Sequence, residues 1–272
     1  MYAYVSVRSG GKYMYFDEFS AVCNAAKGKI NFMENNTFGF MVSSITAGLF
    51  IAFGSFVTFT LGTPLNAAGS PMLKAVQAFA FAAALSLVIM AGAELFTGNN
   101  MVLGSASFSG CVPWGKTVKA WILCYIGNFI GSLLGVVGFQ LTGVPKGDIG
   151  AYFAQVAATK MSLTPVQLLV RGIFCNILVC LAVWCALKMK SESGKLIMVF
   201  WCIFVFMICG FEHSIANMSI LAVGILNAGD AAVSVGGYFY NLLFVTIGNM
   251  IGGVFFVAGP YHVMTKTKAL NT

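Results

Sequence analysis

Six apolar stretches, at about residues 37 to 61, 74 to 111, 118 to 141, 164 to 187, 196 to 227 and 237 to 261, leave this chain few folds to choose from. About 20 such residues in helix cross the hydrocarbon core of a bilayer, and within it every backbone N–H and C=O must find a partner in the protein. Helices meet that demand locally. Charged residues make up 8% of the chain and apolar ones 59%, whereas an average soluble domain is roughly 25% charged. The sequence therefore predicts an all-α integral membrane protein with six transmembrane helices.

The second and fifth stretches are too long for one simple span, and each carries a polar interruption. Gly92-Ala93-Glu94-Leu95-Phe96-Thr97-Gly98-Asn99-Asn100 and Gly210-Phe211-Glu212-His213-Ser214-Ile215-Ala216-Asn217-Met218 superpose with a shift of 118 residues. A second echo follows each, Ile126-Gly127-Asn128-Phe129-Ile130-Gly131 against Ile247-Gly248-Asn249-Met250-Ile251-Gly252. This is the pattern of a duplicated unit. Three spans per copy reverse the entry of the second copy, so the repeat is predicted to be inverted 3+3, with the second and fifth helices broken. A broken helix leaves backbone groups unpaired, which hydrocarbon tolerates only where protein or a polar pathway satisfies them. Gly98 and the Asn99-Asn100 pair are residues suited to interrupting a helix and bonding the freed groups.

Lysine and arginine set the orientation. Arg8, Lys12, Lys27, Lys29, Lys116, Lys119, Lys188, Lys190, Lys195, Lys266 and Lys268 fall on one side, so both termini are expected in the cytoplasm. The net charge of +7 is thereby topology, and nucleic-acid binding is excluded. No cleavable signal is expected ahead of the first span. Within a cytoplasmic segment 1–36, Phe19, Val22, Cys23, Ala26 and Ile30 form a helical stripe with Lys27 and Lys29 off it, predicting an amphipathic helix at the membrane surface, against a neighbouring subunit, or packed before the first span. The channel domain is expected over 37–262 and a cytoplasmic tail over 263–272. The eight cysteines show no CxxC and are read as free thiols, and Gly127, Gly131, Gly135 and Gly138 form a row suited to close helix packing.

The strings Glu94-Leu95-Phe96-Thr97-Gly98-Asn99, Glu212-His213-Ser214-Ile215-Ala216-Asn217-Met218 and Gly172-Ile173-Phe174-Cys175-Asn176-Ile177-Leu178-Val179-Cys180-Leu181-Ala182-Val183-Trp184 resemble the formate/nitrite transporter family, over about Asn36 to Tyr261. The resemblance implies an aquaporin-like protomer in a homopentamer, one pathway per protomer, in a bacterial-type inner (plasma) membrane. Its members move small monovalent anions (formate, nitrite or hydrosulfide), sometimes with a proton. The resemblance makes His213 the central histidine with Thr97 facing it, Glu212 and Asn217 supports of the fifth-helix break, Asn176 a fourth-helix residue of the pathway and Lys160 a vestibule lysine. It assigns constrictions to Phe81, Leu85, Leu95, Phe96, Val179 and Phe206. The strings at 212 to 218 and 59 to 62 stand nearer the nitrite and hydrosulfide branches than the formate branch.

Elementary chemistry supports these roles. An ionisable residue inside a membrane is costly and is a functional candidate by default. An imidazole ordinarily titrates near neutrality, so His213 can exchange or share a proton with a weak acid. Lys160, read as a loop residue before the fourth helix, would concentrate anions at a funnel mouth. A dry apolar ring passes a neutral acid more readily than its anion. Glu94 and Glu212 lack metal-ligand spacing and are read as caps for backbone or partner N–H groups at the breaks. No metal or cofactor is expected and no enzyme constellation is present. The alternatives are a neutral-solute channel of the aquaporin type, whose paired Asn-Pro-Ala signature is absent, and a membrane redox enzyme.

Overall fold

The computed structural model describes residues 15–265 and is built of helices. The expected tail from 266 and the basic residues Arg8, Lys12, Lys266 and Lys268 lie outside the described residues. In chain order the helices are α1 (Phe16–Asn35), α2 (Thr37–Ala67), α3 (Leu73–Leu87), α4 (Phe96–Phe108), α5 (Trp114–Leu141), α6 (Asp148–Met161), α7 (Pro165–Lys188), α8 (Glu192–Ile208), α9 (Ser214–Leu226), α10 (Val235–Gly253) and α11 (Gly259–Thr265). A wide π turn, Val88–Gly92, extends α3, and another, Val254–Ala258, joins α10 to α11.

Five of these segments are long and apolar enough to cross a membrane: Thr37–Ala67, Leu73–Gly92, Trp114–Leu141, Pro165–Lys188 and Val235–Thr265. The remaining apolar stretch is divided between α8, 17 residues, and α9, 13 residues. At 1.5 Å per residue these measure about 25 and 20 Å, each short of the ~30 Å hydrocarbon core. Helix starts follow ordinary capping chemistry. Thr164 and Gln167 form a reciprocal capping box around Pro165 at the first turn of α7, and the side chains of Asn36, Ser191 and Ser234 accept the N–H groups of Gly39, Gly194 and Gly237.

Both breaks are made by the same backbone device. Gly92 (φ +80°) and Gly210 (φ +70°) end the first half-helices in the left-handed region, which only glycine adopts without strain. The chain then runs extended to Leu95 (φ −102°, ψ 124°) and His213 (φ −110°, ψ 114°) before α4 and α9 begin. The first break therefore lies at Gly92 to Leu95, ahead of the position expected from Gly98 and the Asn pair. Gly98, Asn99 and Asn100 belong to α4. A small residue permits a break, but a positive φ makes one, and Gly92 supplies it.

The long helices pack in matching pairs, α2 along α5 and α7 along α10. A Cβ on Gly131 would overlap the carbonyl of Ile45, and one on Gly252 would overlap that of Ile173. These contacts are backbone against backbone, so a neighbouring side chain cannot yield to relieve them. Gly131→Ala is expected to destabilise the fold by about 1–3 kcal/mol, the usual cost of overpacking. Thermal unfolding in detergent checks this, with a midpoint lower by several degrees as the expected result. The row of glycines on α5 is thus a packing face within the chain at Gly127, Gly131 and Gly135, while a Cβ at Gly138 would meet nothing.

Helix α1 packs on α4 through the predicted stripe of Phe19, Val22, Cys23, Ala26 and Ile30, continued by Met33. Ion pairs Lys188–Glu18 (3.6 Å) and Lys116–Glu34 (2.7 Å) tie its two ends to the body. Packed on the chain itself, this helix brings Lys29 toward the first break.

Candidate functional site

Two carboxamides hold the broken segments open. Asn128 of α5 accepts the N–H of Phe96 at 2.9 Å and donates to the carbonyls of Glu94 (2.9 Å) and Ser44 (2.7 Å). Asn249 of α10 accepts the N–H of Ser214 at 2.9 Å and donates to the carbonyls of Glu212 (2.9 Å) and Gly172 (2.8 Å). Each amide thus grips both peptide groups flanking one extended residue, Leu95 in the first copy and His213 in the second. The N–H groups of Glu94 and Glu212 complete the set by donating to Ser43 (3.4 Å) and Arg171 (3.2 Å). Backbone freed from helix is satisfied by side chains where no water is needed. The sequence echo around Asn128 and Asn249 marked these residues, but their role depends on the close glycine-mediated approach of α2 to α5 and α7 to α10.

A carboxylate, an ammonium and an asparagine stand beside each clamp. Lys160 donates to both oxygens of Glu212 (2.9 and 2.8 Å), which also accepts from Asn217 at 2.7 Å. Lys29 donates to both oxygens of Glu94 (2.8 Å each), which also accepts from Asn99 at 2.8 Å. Lys160 is therefore a helical residue near the end of α6, engaged in an ion pair, rather than the loop residue expected. The carboxylates accept from partner side chains, one of the two expected kinds of donor, and not from backbone N–H groups. Lys29 was readable as off the apolar stripe of α1, but not as a site residue. The signal was positional, since Lys29 and Lys160 both sit on the helix just ahead of a long span. The copies differ around these asparagines: Asn217 also donates to Asn241 (2.8 Å), whereas Asn99 faces the thiol of Cys124 (3.6 Å).

Between the clamps lies His213. Its Nδ1 accepts the N–H of Ala216 at 3.1 Å and so caps α9. An amide N–H only donates, so Nδ1 carries no proton and the proton of the neutral ring is on Nε2. That Nε2–H donates to the Thr97 hydroxyl at 3.0 Å, joining the second break to the first. Phe206 lies nearly parallel to the imidazole with centroids 6.1 Å apart, and Phe81 meets Phe206 edge-on at 5.8 Å. His213, Thr97, Phe206 and Phe81 are thus one cluster. Leu85 and Leu95 line a cavity of about 530 Å³ that also reaches Lys29, Glu94 and Asn99. Phe96 and Val179 are buried, with Phe96 against Tyr125 at 5.0 Å. Asn176 is a tie between helices: its amide donates to the carbonyls of Thr97 (3.3 Å) and Asn249 (2.6 Å) and to the side chain of Asn100 (3.1 Å).

Residues 17–263 match the family model described as formate/nitrite transporter. The chain belongs to the formate/nitrite transporter family. It is 35% identical over 232 residues to the nitrite transporter NirC of Escherichia coli K12, covering 85% of each chain. It is likewise 35% identical over 243 residues to the formate channel FocA of the same organism, covering 81% of this chain and 84% of the other. A solved structure titled as an FNT family ion channel superposes with a TM-score of 0.85 at 32% identity, covering 92% of this chain and 99% of that one. A pentameric formate channel with formate bound superposes with a TM-score of 0.75 at 28% identity, covering 85% and 98%. The protein is a membrane protein of a transporter and channel family, not an enzyme.

Proposed function

We propose that this family member is a selective passive pathway for small monovalent weak-acid anions, of the nitrite and formate class named in its relatives and extending to hydrosulfide. The observation that carries this reading is the His213 Nε2–H aimed at Thr97 between two clamped helix breaks. A buried donor held by a hydroxyl is ready to exchange it for a better acceptor, and an anion accepts roughly twice as strongly. The matched breaks favour six spans in an aquaporin-like inverted 3+3 arrangement. The basic-residue distribution favours both termini in the cytoplasm, and the pentameric formate channel favours a homopentamer in a bacterial-type inner membrane.

The ion-paired lysines beside Glu212 and Glu94 place an ammonium donor at either approach, from which the anion reaches the apolar slits of Phe81, Phe206, Leu85 and Leu95. His213 then shares its Nε2 proton as a hydrogen bond without surrendering it. Giving the proton away would leave an imidazolate. Taking one up would put it on Nδ1 and break the cap to Ala216. A proton that crosses with the anion is therefore carried by the permeant acid from the bulk solution.

Flux into proteoliposomes decides the class. Nitrite, formate or hydrosulfide is expected to enter faster as pH falls across about pH 8 to 5, because the conjugate acid becomes more abundant, while glycerol stays out. Glycerol entry without anion entry would leave only the fold standing.

A further inference from the structure

The turn after α4 holds a pair of thiols that the transport reading does not use. Cys23 lies on the buried stripe of α1 and is 5% exposed. Cys111 stands between α4 and α5, directly after Gly110 (φ +71°), half-buried and with its N–H donated to the carbonyl of Ala106 at 2.8 Å. Far apart in sequence, the two meet because α1 packs on α4: the thiol of Cys23 hydrogen-bonds with the side chains of Cys111 and Ser109. Ser109 is anchored in turn to the Ser105 carbonyl (2.9 Å) and to Nδ1 of His262 (3.2 Å), which holds the turn against α11. Burial pushes the Cys23 thiol up to about 12, so it is protonated at neutral pH, and an oxidant from solution meets the more exposed Cys111 first.

We propose that Cys23 and Cys111 form a redox dithiol, a modification site that hydrogen peroxide closes into a disulfide stapling α1 to the α4–α5 turn. The Cys111 sulfur attacks one peroxide oxygen, the O–O bond breaks, and a sulfenic acid forms with release of water. The Cys23 sulfur then attacks the Cys111 sulfur, the S–O bond breaks, and the Cys23 proton leaves with that oxygen as a second water. Two thiols lose two electrons and two protons, and one peroxide takes them up. Helix α1 also carries Lys29, whose ammonium grips Glu94 at the first break, so the staple fixes the seat of a residue that supports the pathway. With α1 on the cytoplasmic side, as proposed above, the compartment is reducing and the bond is transient, the form in which cytosolic disulfides report an oxidant. The site is independent of which anion crosses, and its test uses no flux.

Purified full-length protein in detergent is treated with excess hydrogen peroxide, the remaining thiols are capped with a maleimide in denaturant, and the peptides are weighed. The expected product joins the Cys23 and Cys111 peptides, and the unfolding midpoint rises by about 5 °C or more, because a cross-link closing a long loop constrains the unfolded chain. Dithiothreitol should reverse both changes. Cys111→Ser and Cys23→Ser should each lose the rise, with Cys23→Ser stopping at a Cys111 sulfenic acid that dimedone traps, while replacing the exposed Cys209 by serine keeps it. Native protein in which Cys23 is still recovered as its maleimide adduct, or whose cross-link leaves the midpoint unchanged, overturns the staple and leaves the transport reading intact.

Discussion

Lys160→Met is expected to be the most damaging single change in the protein, costing about 3–5 kcal/mol of stability, because it strands a buried carboxylate. The side chain of Glu212 is 3% exposed and that of Lys160 17%, so no water replaces the lost ammonium. Among the described residues, Asn217 would remain as its side-chain donor. The same reasoning makes the damage reversible. In Lys160→Met/Glu212→Gln the carboxamide keeps an acceptor for Asn217 and no charge is buried, so most of the lost stability should return. Lys29→Met should be milder, because Glu94, 11% exposed, borders a 530 Å³ cavity from which water can solvate it. Thermal unfolding of the four proteins in detergent gives the ranking. A Lys160→Met protein no less stable than the double variant would mean that the buried pair contributes nothing through its charge.

That prediction depends on a side of the site the sequence displayed unevenly. The doubled interruption, the helix order and the pairing of His213 with Thr97 were legible, because apolar length, a repeated string and a family resemblance are properties of the chain itself. The place of the first break was not. Gly98 and Asn99 look like interrupters by composition, yet the positive φ falls on Gly92 and Asn99 reaches back from inside α4 to Glu94. Lys29 escaped because a helical stripe sorts residues by burial of their apolar stems, whereas a long lysine carries its ammonium around the helix edge. Asn128 and Asn249 stood in plain view within matching strings. Their bonds to Glu94 and Glu212 exist only because glycines let α5 lie against α2 and α10 against α7, a tertiary fact no local pattern encodes.

The second large effect separates the two tasks of His213. An asparagine at this position retains an oxygen near its own backbone that can accept the Ala216 N–H, but its side chain is too short to reach Thr97. His213→Asn is therefore expected to unfold within about 1 kcal/mol of the native protein, whereas His213→Phe loses the cap and should fall by about 1 kcal/mol. Both remove the Nε2–H donor, and a hydrogen bond to a charged group contributes about 1.5–3 kcal/mol. At 1.36 kcal/mol per factor of ten, anion flux should drop by roughly 10- to 100-fold in each. The shape of the pH profile carries the mechanism. If His213 stays neutral and shares its proton, both variants keep the native profile at lower amplitude, since the rise toward acid belongs to the permeant acid. A profile that flattens in His213→Asn would instead mean that the ring itself takes up and releases the proton. It would then have to break the Ala216 cap in every cycle, and the neutral-donor mechanism would be wrong.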